Sequence, residues 1–248
     1  MKKIFTKSNY LKHLSKSTKD MSKNQKLKQD AYKLISKADE YNWIHQTSWL
    51  GEPIINLPQD LFIIQEILHK TKPDNIIELG VAWGGQLLFY SNLMNILGGK
   101  KIIGVDIFIP NDLKKRLSKH KLFTKKVNLI KGSSTDPKIV DKISKLIGKS
   151  KKNLIILDSN HTHEHVLKEL EIYSNFVGKN NYIICCDTIV EFIPANKNRP
   201  RAWKKGNNPF TAVKKFLGDN KRFKIDYEID NKLLISCNYN GYLKAIKN

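Results

Sequence analysis

Short apolar runs that alternate with helical patterns constrain the fold of this chain more than any other feature of its sequence. The runs have strand length, are rich in isoleucine, and occupy residues 75–79, 101–106, 127–130, 153–158 and 182–187. The helical patterns between them cover residues 86–97, 112–119, 137–148 and 163–176. Continuous apolar strands separated by helices are typical of a parallel sheet that is covered by helices on both faces.

The end of the chain follows a different pattern. Residues 223–229 and 233–238 are two further apolar stretches, and Asp230 and Asn231 between them suit a tight turn. We therefore predict an antiparallel hairpin at the C-terminus. Five parallel strands followed by an antiparallel pair indicate an α/β fold of the Rossmann-like class I methyltransferase type, with a mostly parallel seven-stranded sheet.

Length and composition divide the chain into two parts. At 248 residues it is long enough for one α/β domain with an extension. Residues 1–40 are rich in lysine and contain no glycine or proline, so we predict a basic N-terminal extension, partly disordered or helical, before a folded domain at 41–248. No run of about 18 apolar residues occurs, and no apolar stretch follows the basic first residues, so we predict a cytoplasmic protein. The extension could bring it to the inner face of an anionic membrane, although a solvated arm is the simpler expectation.

The formal net charge of +21 suits a partner such as nucleic acid, an anionic membrane surface or an acidic substrate. Arginine occurs only at positions 116, 199, 201 and 222, whereas specific readers of nucleic acid depend on arginine forks. Because the lysines are scattered, we expect a compositional bias and no specific nucleic-acid partner. The three cysteines, at positions 185, 186 and 237, are too few for a disulfide framework and are expected as buried thiols.

Polar residues follow each of the five predicted parallel strands. In chain order they are Glu78, Asp106, the run Gly132-Ser133-Ser134, Asp158 and Asp187. Ligands of open α/β sheets bind at the carboxyl ends of the strands, so we expect these residues to meet at one site.

The loop after the first strand carries Gly80, Ala82, Gly84 and Gly85 behind Glu78. A dinucleotide fingerprint needs a glycine where Ala82 stands, and a carboxylate at Glu78 would repel a pyrophosphate. S-adenosylmethionine (SAM) has no phosphate, and its methionine end carries an ammonium group. The loop therefore favours SAM over NAD, with these five residues as candidate cofactor contacts, although a tight turn would also need glycines.

The second and third strand ends complete the predicted cofactor site. A carboxylate at Asp106 can accept hydrogen bonds from both ribose hydroxyls of an adenosine, and Ile107 lies beside it. Gly132, Ser133 and Ser134 are placed to line the adenine pocket, although Ser133 could equally cap the next helix.

Three histidines follow the fourth strand, at positions 161, 163 and 165. Their spacing predicts that His161 and His165 share a helical face while His163 points elsewhere. A histidine of near-neutral pKa beside Asp158 suits a general base, with His161 as the first choice, His163 as the second and Asp158 as the orienting group. Asp158 and Asp187 could also share a Mg²⁺ ion, which prefers oxygen ligands.

Several of these segments resemble the cephalosporin hydroxylase / rhamnosyl O-methyltransferase family, and the likeness runs from about residue 41 to residue 245. The segments are 47–53, 77–85, 132–136, 157–167 and 206–213. The resemblance implies a class I methyltransferase fold and methyl transfer from SAM to a hydroxyl, either of cephem antibiotics or of sugars in glycolipids and surface polysaccharides. It also implies a Mg²⁺ site around the ends of the fourth and fifth strands. The residues that it assigns to SAM are Glu78, Gly80, Gly84, Asp106, Ser133 and Ser134.

The chain departs from the family pattern at two positions near this metal site. Relatives usually carry an acidic pair where Cys186 and Asp187 stand, and often an aspartate where Asn160 stands. Because Mg²⁺ prefers oxygen ligands and a thiolate is soft, the remaining candidates Asp158, Asp187 and Asn160 predict a weakened cation site.

The resemblance and the site residues together predict an O-methyltransferase that acts on a sugar hydroxyl of a glycolipid or surface polysaccharide, or on a related small molecule. The loop at 191–208 could form a lid in which Trp203 stacks on the sugar ring. The alternatives are a non-catalytic SAM-binding or scaffold protein with a degenerate metal site, an NAD-linked oxidoreductase and, on charge alone, a nucleic-acid methyltransferase. A homo-oligomer also stays open.

Overall fold

The computed structural model describes residues 6–196 and 198–248, so the first five residues of the extension and Lys197 of the 191–208 loop lie outside the described residues. The helices are α1 (Lys7–Lys23), α2 (Gln25–Asp39), α3 (Pro58–Thr71), α4 (Gly85–Leu97), α5 (Asn111–Leu117), α6 (Lys121–Lys126), α7 (Pro137–Ile147), α8 (His163–Tyr173), α9 (Pro209–Asp219) and α10 (Tyr227–Asp230). The strands are β1 (Thr47–Trp49), β2 (Glu52–Ile54), β3 (Asn75–Leu79), β4 (Lys101–Asp106), β5 (Val127–Lys131), β6 (Asn153–Leu157), β7 (Tyr182–Cys185), β8 (Phe223–Ile225) and β9 (Tyr242–Ala245).

Seven strands form one sheet in the order β5-β4-β3-β6-β7-β9-β8. The strands β3 to β7 pair in parallel, and β9 lies antiparallel between β7 and β8. Helices α3 and α4 pack on one face of the sheet, whereas α7, α8 and α9 pack on the other. All five residues of β3 and of β6 are buried for this reason. The predicted mostly parallel seven-stranded sheet is confirmed.

The antiparallel pair at the C-terminus is present, but the predicted position of its second strand is wrong. Residues 233–238 do not enter the sheet, and β9 begins only at Tyr242. The fully buried Asp60 at the start of α3 explains the difference, because its carboxylate accepts hydrogen bonds from Ser236 Oγ (2.6 Å), Cys237 N (2.9 Å) and Tyr242 OH (2.8 Å). The segment is therefore held against α3, and the chain turns back into the sheet after it.

The described part of the N-terminal extension is helical. Helix α1 has no buried residue, whereas α2 buries Ala31 and Ile35 against the domain. The ring of Tyr32 stacks on Phe192, with the ring centroids 5.3 Å apart, and meets the edge of Tyr239. The second half of the extension is thus part of the folded structure. Within the described residues, we find no helix with both the length and the apolar character needed to span a bilayer.

Candidate functional site

A cavity of about 350 Å³ lies at the carboxyl ends of β3, β6 and β7. Its floor comes from the strand ends and the loop after β3, and its outer wall comes from the end of α2 and the segment that follows β7. The candidate site residues that line it are Glu78, Gly80, Ala82, Gly84, Gly85, Asp158, His161 and Asp187.

The glycine loop is shaped by close backbone approaches. A Cβ on Gly80 would lie 2.0 Å from the carbonyl oxygen of Asp158, and one on Gly85 would lie 2.3 Å from that of Pro53. Only glycine allows the loop to touch both the end of β6 and the β1–β2 ribbon. Ala82 adopts a left-handed backbone with φ of 44°, which a non-glycine residue holds only where its surroundings enforce it.

Asp106 supplies that constraint. Its Oδ2 accepts hydrogen bonds from the backbone amides of Val81 (2.7 Å) and Ala82 (3.3 Å), and its Oδ1 accepts one from Phe108 (2.9 Å). Asp106, the residue that we predict to bind the ribose, therefore holds the glycine loop in place in the cofactor-free protein. Ile107 beside it is exposed, and neither residue lines the cavity.

Glu78 is buried at the end of β3 and is one of the residues that line the cavity. The side-chain amide of Gln86 donates to Oε1 at 2.7 Å, and Asn56 in turn donates to Gln86 at 3.1 Å. The second oxygen, Oε2, has no hydrogen bond within 3.5 Å among the described residues, although the hydroxyl of Tyr90, itself buried and without a partner, acts on the Glu78 carboxyl. Burial raises the pKa of Glu78 to about 8. A buried carboxylate oxygen without a partner is costly unless a ligand satisfies it, and an ammonium group is the natural donor.

Asp158, His161 and Asp187 come together at the inner end of the cavity, with one ligand atom of each within 4.8 Å of the others. The Nε2 atom of His161 lies 3.4 Å from Asp187 Oδ2 and 4.0 Å from Asp158 Oδ1. Burial lowers the pKa of His161 although Asp187 acts to raise it, so the neutral imidazole is favoured. Burial, and then the charge of Asp187, raise the pKa of Asp158 well above its usual range. The group can hold a proton or a divalent cation.

Two positions at which the chain departs from the family pattern lie near this group: Asn160, a predicted metal ligand, and Cys186. Asn160 is exposed, and its Oδ1 accepts a hydrogen bond from Thr162 N at 3.0 Å, so the structure gives no support for Asn160 as a ligand. Cys186 is buried and lines the cavity beside Asp187, but burial raises the pKa of its thiol well above the usual value. A neutral thiol is a poor ligand for a hard cation such as Mg²⁺.

The predicted shared helical face of His161 and His165 is wrong. Helix α8 begins only at His163, because Thr162 before it has an extended backbone, so His161 belongs to the preceding loop. The ring of His163 faces α9, where Nδ1 lies 2.8 Å from Thr211 Oγ1. This placement takes His163, the second choice of base, away from the cavity.

His165 belongs to a buried polar cluster that sequence reasoning missed. Glu169 Oε1 accepts hydrogen bonds from Ser134 (2.5 Å) and Ser159 (2.7 Å), and His165 Nε2 lies 3.2 Å from the same oxygen. The cluster ties the end of β5 to the loop after β6 through α8. The spacing of four residues between His165 and Glu169 on one helix was the available signal.

The run 132–134 therefore does not line the cavity, and the hydroxyl of Ser134 is engaged inside the protein. Ser133 Oγ lies 3.2 Å from Thr135 Oγ1 within the turn. The cap of α7 is Asp136, which accepts from Lys138 N at 2.8 Å, so the alternative of Ser133 as the helix cap is wrong.

The outer wall of the cavity is fastened to the N-terminal extension. The carboxylate of Asp39, at the end of α2, forms an ion pair with Arg199 and accepts a hydrogen bond from Asn196 Nδ2 at 2.9 Å. Arg199 also lies 2.7 Å from His45 Nε2. Further along the loop, the ring of Trp203 packs edge-on against His161, with the centroids 4.8 Å apart. The 191–208 loop thus covers the cavity and contacts the candidate base directly.

Comparisons with known proteins agree with this arrangement. The model of the family described as rhamnosyl O-methyltransferase/CmcI matches residues 41–246. The chain is similar to the rhamnosyl O-methyltransferase of Mycobacterium tuberculosis (strain H37Rv), with 27% identity over 83% of this chain and 84% of that protein. It is also similar to the rhamnosyl O-methyltransferase of Mycobacterium leprae, with 29% identity over 78% of this chain and 82% of that protein.

A solved structure of cmcI with Mg-SAM has the same fold. The TM-score is 0.57 at 19% sequence identity, and the match covers 82% of this chain and 77% of the other. Both proteins therefore share the mostly parallel sheet with its antiparallel end.

Proposed function

The chain belongs to the rhamnosyl O-methyltransferase/CmcI family, and from this premise we propose that it is a SAM-dependent O-methyltransferase acting on a sugar hydroxyl. The observation that carries the proposal is the placement of Glu78 and His161 on one cavity. Glu78 offers a buried carboxylate oxygen without a partner to a cationic cofactor, and His161 offers a neutral imidazole to an acceptor hydroxyl.

The residues present fit the methionine end of SAM. Glu78 Oε2 would accept a hydrogen bond from the ammonium group, and the glycine loop, which lines the same cavity, would lie against the cofactor. When bound, SAM supplies a methyl group whose bond to sulfur breaks as its bond to the acceptor oxygen forms. The same Glu78 opposes a pyrophosphate, which disfavours the NAD-linked alternative.

His161 would take the proton of the acceptor hydroxyl. Its Nε2 lies 3.4 Å from Asp187 Oδ2, so a proton placed on that nitrogen is stabilised by the carboxylate of Asp187. The edge-on contact with Trp203 holds the imidazole ring, and the indole offers an apolar surface for a sugar ring. The protein thus orients the acceptor, excludes water and removes a proton, which are the tasks left to it by a reactive cofactor.

A divalent cation would be held by Asp158 and Asp187, whose carboxylate oxygens suit Mg²⁺. Cys186 and Asn160 support a second candidate function, a SAM-binding protein without catalysis, because they remove two carboxylates that the family pattern contains. Restoring acids with Cys186→Glu and Asn160→Asp separates the two readings. A gain of methyl transfer or of Mg²⁺ affinity in the double variant would favour a decayed metal site.

The proposal is tested by calorimetric titration with S-adenosylhomocysteine (SAH), with and without Mg²⁺. We expect wild type and Glu164→Gln, a change at an exposed acid of α8, to bind SAH equally. Glu78→Gln should weaken binding by about tenfold or more, because a charge-assisted hydrogen bond contributes ~1.5–3 kcal/mol. Absence of SAH binding by wild type under both conditions would reject the proposed function.

A further inference from the structure

Three of the four arginines of the chain have clear structural partners. Arg116 pairs with Glu52 and Asp112, Arg199 pairs with Asp39, and Arg222 donates to the carbonyl oxygens of Ser174 and Val177. Arg201 is the exception. Its guanidinium has no hydrogen bond and no ion pair within 4 Å among the described residues, although its charge acts on Asp39, and it lines the candidate active-site cavity.

Arg201 is positioned by Trp203. The guanidinium lies over the indole ring, 5.4 Å from its centroid, and the same indole packs against His161. Trp203 therefore contacts both the guanidinium of Arg201 and the imidazole of His161, the candidate base. A ligand that reaches His161 with a hydroxyl group passes beside Arg201.

A second cavity of about 580 Å³ continues outward from this point along the 191–208 loop. Its lysines are Lys204 and Lys205, both exposed and without an acidic partner among the described residues. Its two acids are already engaged. Asp39 pairs with Arg199, and Glu191 accepts hydrogen bonds from Gly206 N (2.9 Å) and Asn208 Nδ2 (2.6 Å).

The two ends of the site differ in charge. At the inner end lie Glu78 and Asp158, whose neutral forms are favoured by burial, whereas the outer cavity carries four cations against two carboxylates. Three of these cations, Arg201, Lys204 and Lys205, form an outer vestibule and make no ion pair within 4 Å among the described residues. An arginine fork beside two lysines matches the geometry and the charge of phosphate groups. A single carboxylate would balance only part of this charge.

We propose that the acceptor is a phosphorylated sugar, whose hydroxyl meets His161 while its phosphate or pyrophosphate binds in the vestibule of Arg201, Lys204 and Lys205. This inference rests on the proposed function, since it names the substrate class of the same site. The phosphate belongs either to a nucleoside diphosphate sugar or to a lipid-linked sugar diphosphate, and both present the same group to the vestibule.

The first test measures binding of inorganic pyrophosphate to the full-length protein loaded with SAH. We expect Arg201→Gln to weaken this binding by about tenfold and Arg201→Lys to restore it only in part, because lysine keeps the charge but lacks the fork. The control is Lys149→Gln, at an exposed lysine that precedes β6 and therefore lies near the amino ends of the parallel strands, opposite the cavity. Equal pyrophosphate binding by Arg201→Gln and Lys149→Gln, or no binding by wild type, would overturn the proposal.

The second test compares methyl transfer to matched acceptors: a neutral methyl glycoside, the corresponding sugar 1-phosphate, its nucleoside diphosphate form and its polyprenyl diphosphate form. We expect turnover of phosphorylated sugars, with a KM that rises about tenfold in Arg201→Gln while kcat changes little. A preference for the nucleoside diphosphate form over the polyprenyl diphosphate form, or the reverse, identifies the source of the phosphate. Equal use of the neutral glycoside would refute the phosphate requirement while leaving methyl transfer intact. Failure to bind SAH would instead count against the proposed function, and pyrophosphate binding to the cofactor-free protein would then decide this inference alone.

Discussion

At the scale of single residues, His161 and Glu78 have one feature in common, since burial favours the neutral form of each. His161 has Asp187 and Asp158 beside Nε2, and Glu78 has one oxygen satisfied by Gln86 and one left open. Each group is thereby poised to gain charge when a ligand arrives. Perturbed titratable groups of this kind are typical of functional sites.

Removing the imidazole should separate chemistry from binding. We expect His161→Ala to lower the single-turnover rate by about 10²–10⁴-fold, the usual contribution of a general base, while SAH affinity stays unchanged. His163→Ala is the matched control, because the ring of His163 faces Thr211 and not the cavity. A variant that retained the wild-type rate without His161 would exclude it as the base.

The raised pKa of Glu78 predicts coupled proton release. In the cofactor-free protein this carboxyl is largely protonated at neutral pH, because its pKa is about 8. An ammonium group beside Oε2 favours the ionised form, so SAH binding should release a proton and tighten as pH rises from about 6 to about 8. Titration calorimetry in two buffers of different ionisation enthalpy measures the proton count. The release should vanish in Glu78→Gln, and an SAH affinity that is independent of pH in wild type would contradict the assignment.

The raised pKa of Glu78 also makes the free energy of unfolding depend on pH. A carboxyl whose pKa is higher in the folded state than in the unfolded chain stabilises the fold most below its ordinary pKa. That contribution is lost as pH rises through about 8. The cofactor-free protein should therefore unfold more easily in mild alkali than Glu78→Gln does.

Sequence reasoning reached the strand-end acids but could not assign their partners. Asp106 lies at a strand end as predicted, but it accepts hydrogen bonds from backbone amides of the glycine loop. Every residue type except proline has such an amide, so the residue types do not reveal these hydrogen bonds. Glu169 accepts a hydrogen bond from Ser134, 35 residues earlier in the chain, so only its spacing from His165 marked it, and the bond from Gln86 to Glu78 crosses the glycine loop. The predicted roles of Asp106, Ser133 and Ser134 toward SAM stay predictions.

At the scale of elements, local periodicity predicted most helices and strands closely but failed where long-range contacts decide. The helix α8 begins two residues later than the histidine spacing suggested, since Thr162 is extended. The last strand lies beyond residue 238 because Asp60 holds Ser236, its partner 176 residues later in the chain. Side-chain contacts across such a separation are invisible to a window of neighbouring residues.

The junction between α2 and the 191–208 loop predicts a lid that can be loosened from outside the cavity. We expect Asp39→Asn to raise the acceptor KM about tenfold and to expose the loop around Arg199 to trypsin, because a partly buried ion pair and its hydrogen bonds are weakened. SAH affinity should stay unchanged, since Glu78 lies on the cavity floor.

The control for the lid is Asp30→Asn on the same helix, where the carboxylate forms only an exposed ion pair with Lys33. Equal trypsin sensitivity of the two variants would show that Asp39 does not fasten the loop.

At the scale of the whole molecule, the positive charge is spread over the surface, but α1 combines it with apolar side chains. Tyr10, Leu11 and Leu14 are exposed on this helix, which also carries lysines at positions 7, 12, 16, 19 and 23. A basic amphipathic helix of this kind suits the surface of an anionic bilayer. Membrane association stays a prediction of the sequence that this geometry favours.

Vesicle co-sedimentation measures that prediction. We expect the protein to sediment with vesicles containing phosphatidylglycerol, to stay in solution with phosphatidylcholine alone, and to lose binding in Leu11→Gln/Leu14→Gln. Phe62→Gln, at an exposed aromatic residue of α3, is the control. Sedimentation that is unaffected by the double substitution would assign the interaction to scattered lysines.

The fastening of Asp39 to Arg199 has a practical consequence for anyone who handles this protein. The family match begins at residue 41, so a boundary chosen by similarity would cut the chain two residues after Asp39. A gene trimmed at that boundary would encode the whole sheet and every strand-end acid, yet one wall of the cavity would have lost its anchor. Such a shortened product would also lack the buried Ala31 and Ile35 of α2, so we expect it to be less stable and to handle its acceptor poorly, and grafting a different leader onto the same body offers a route to retune acceptor choice.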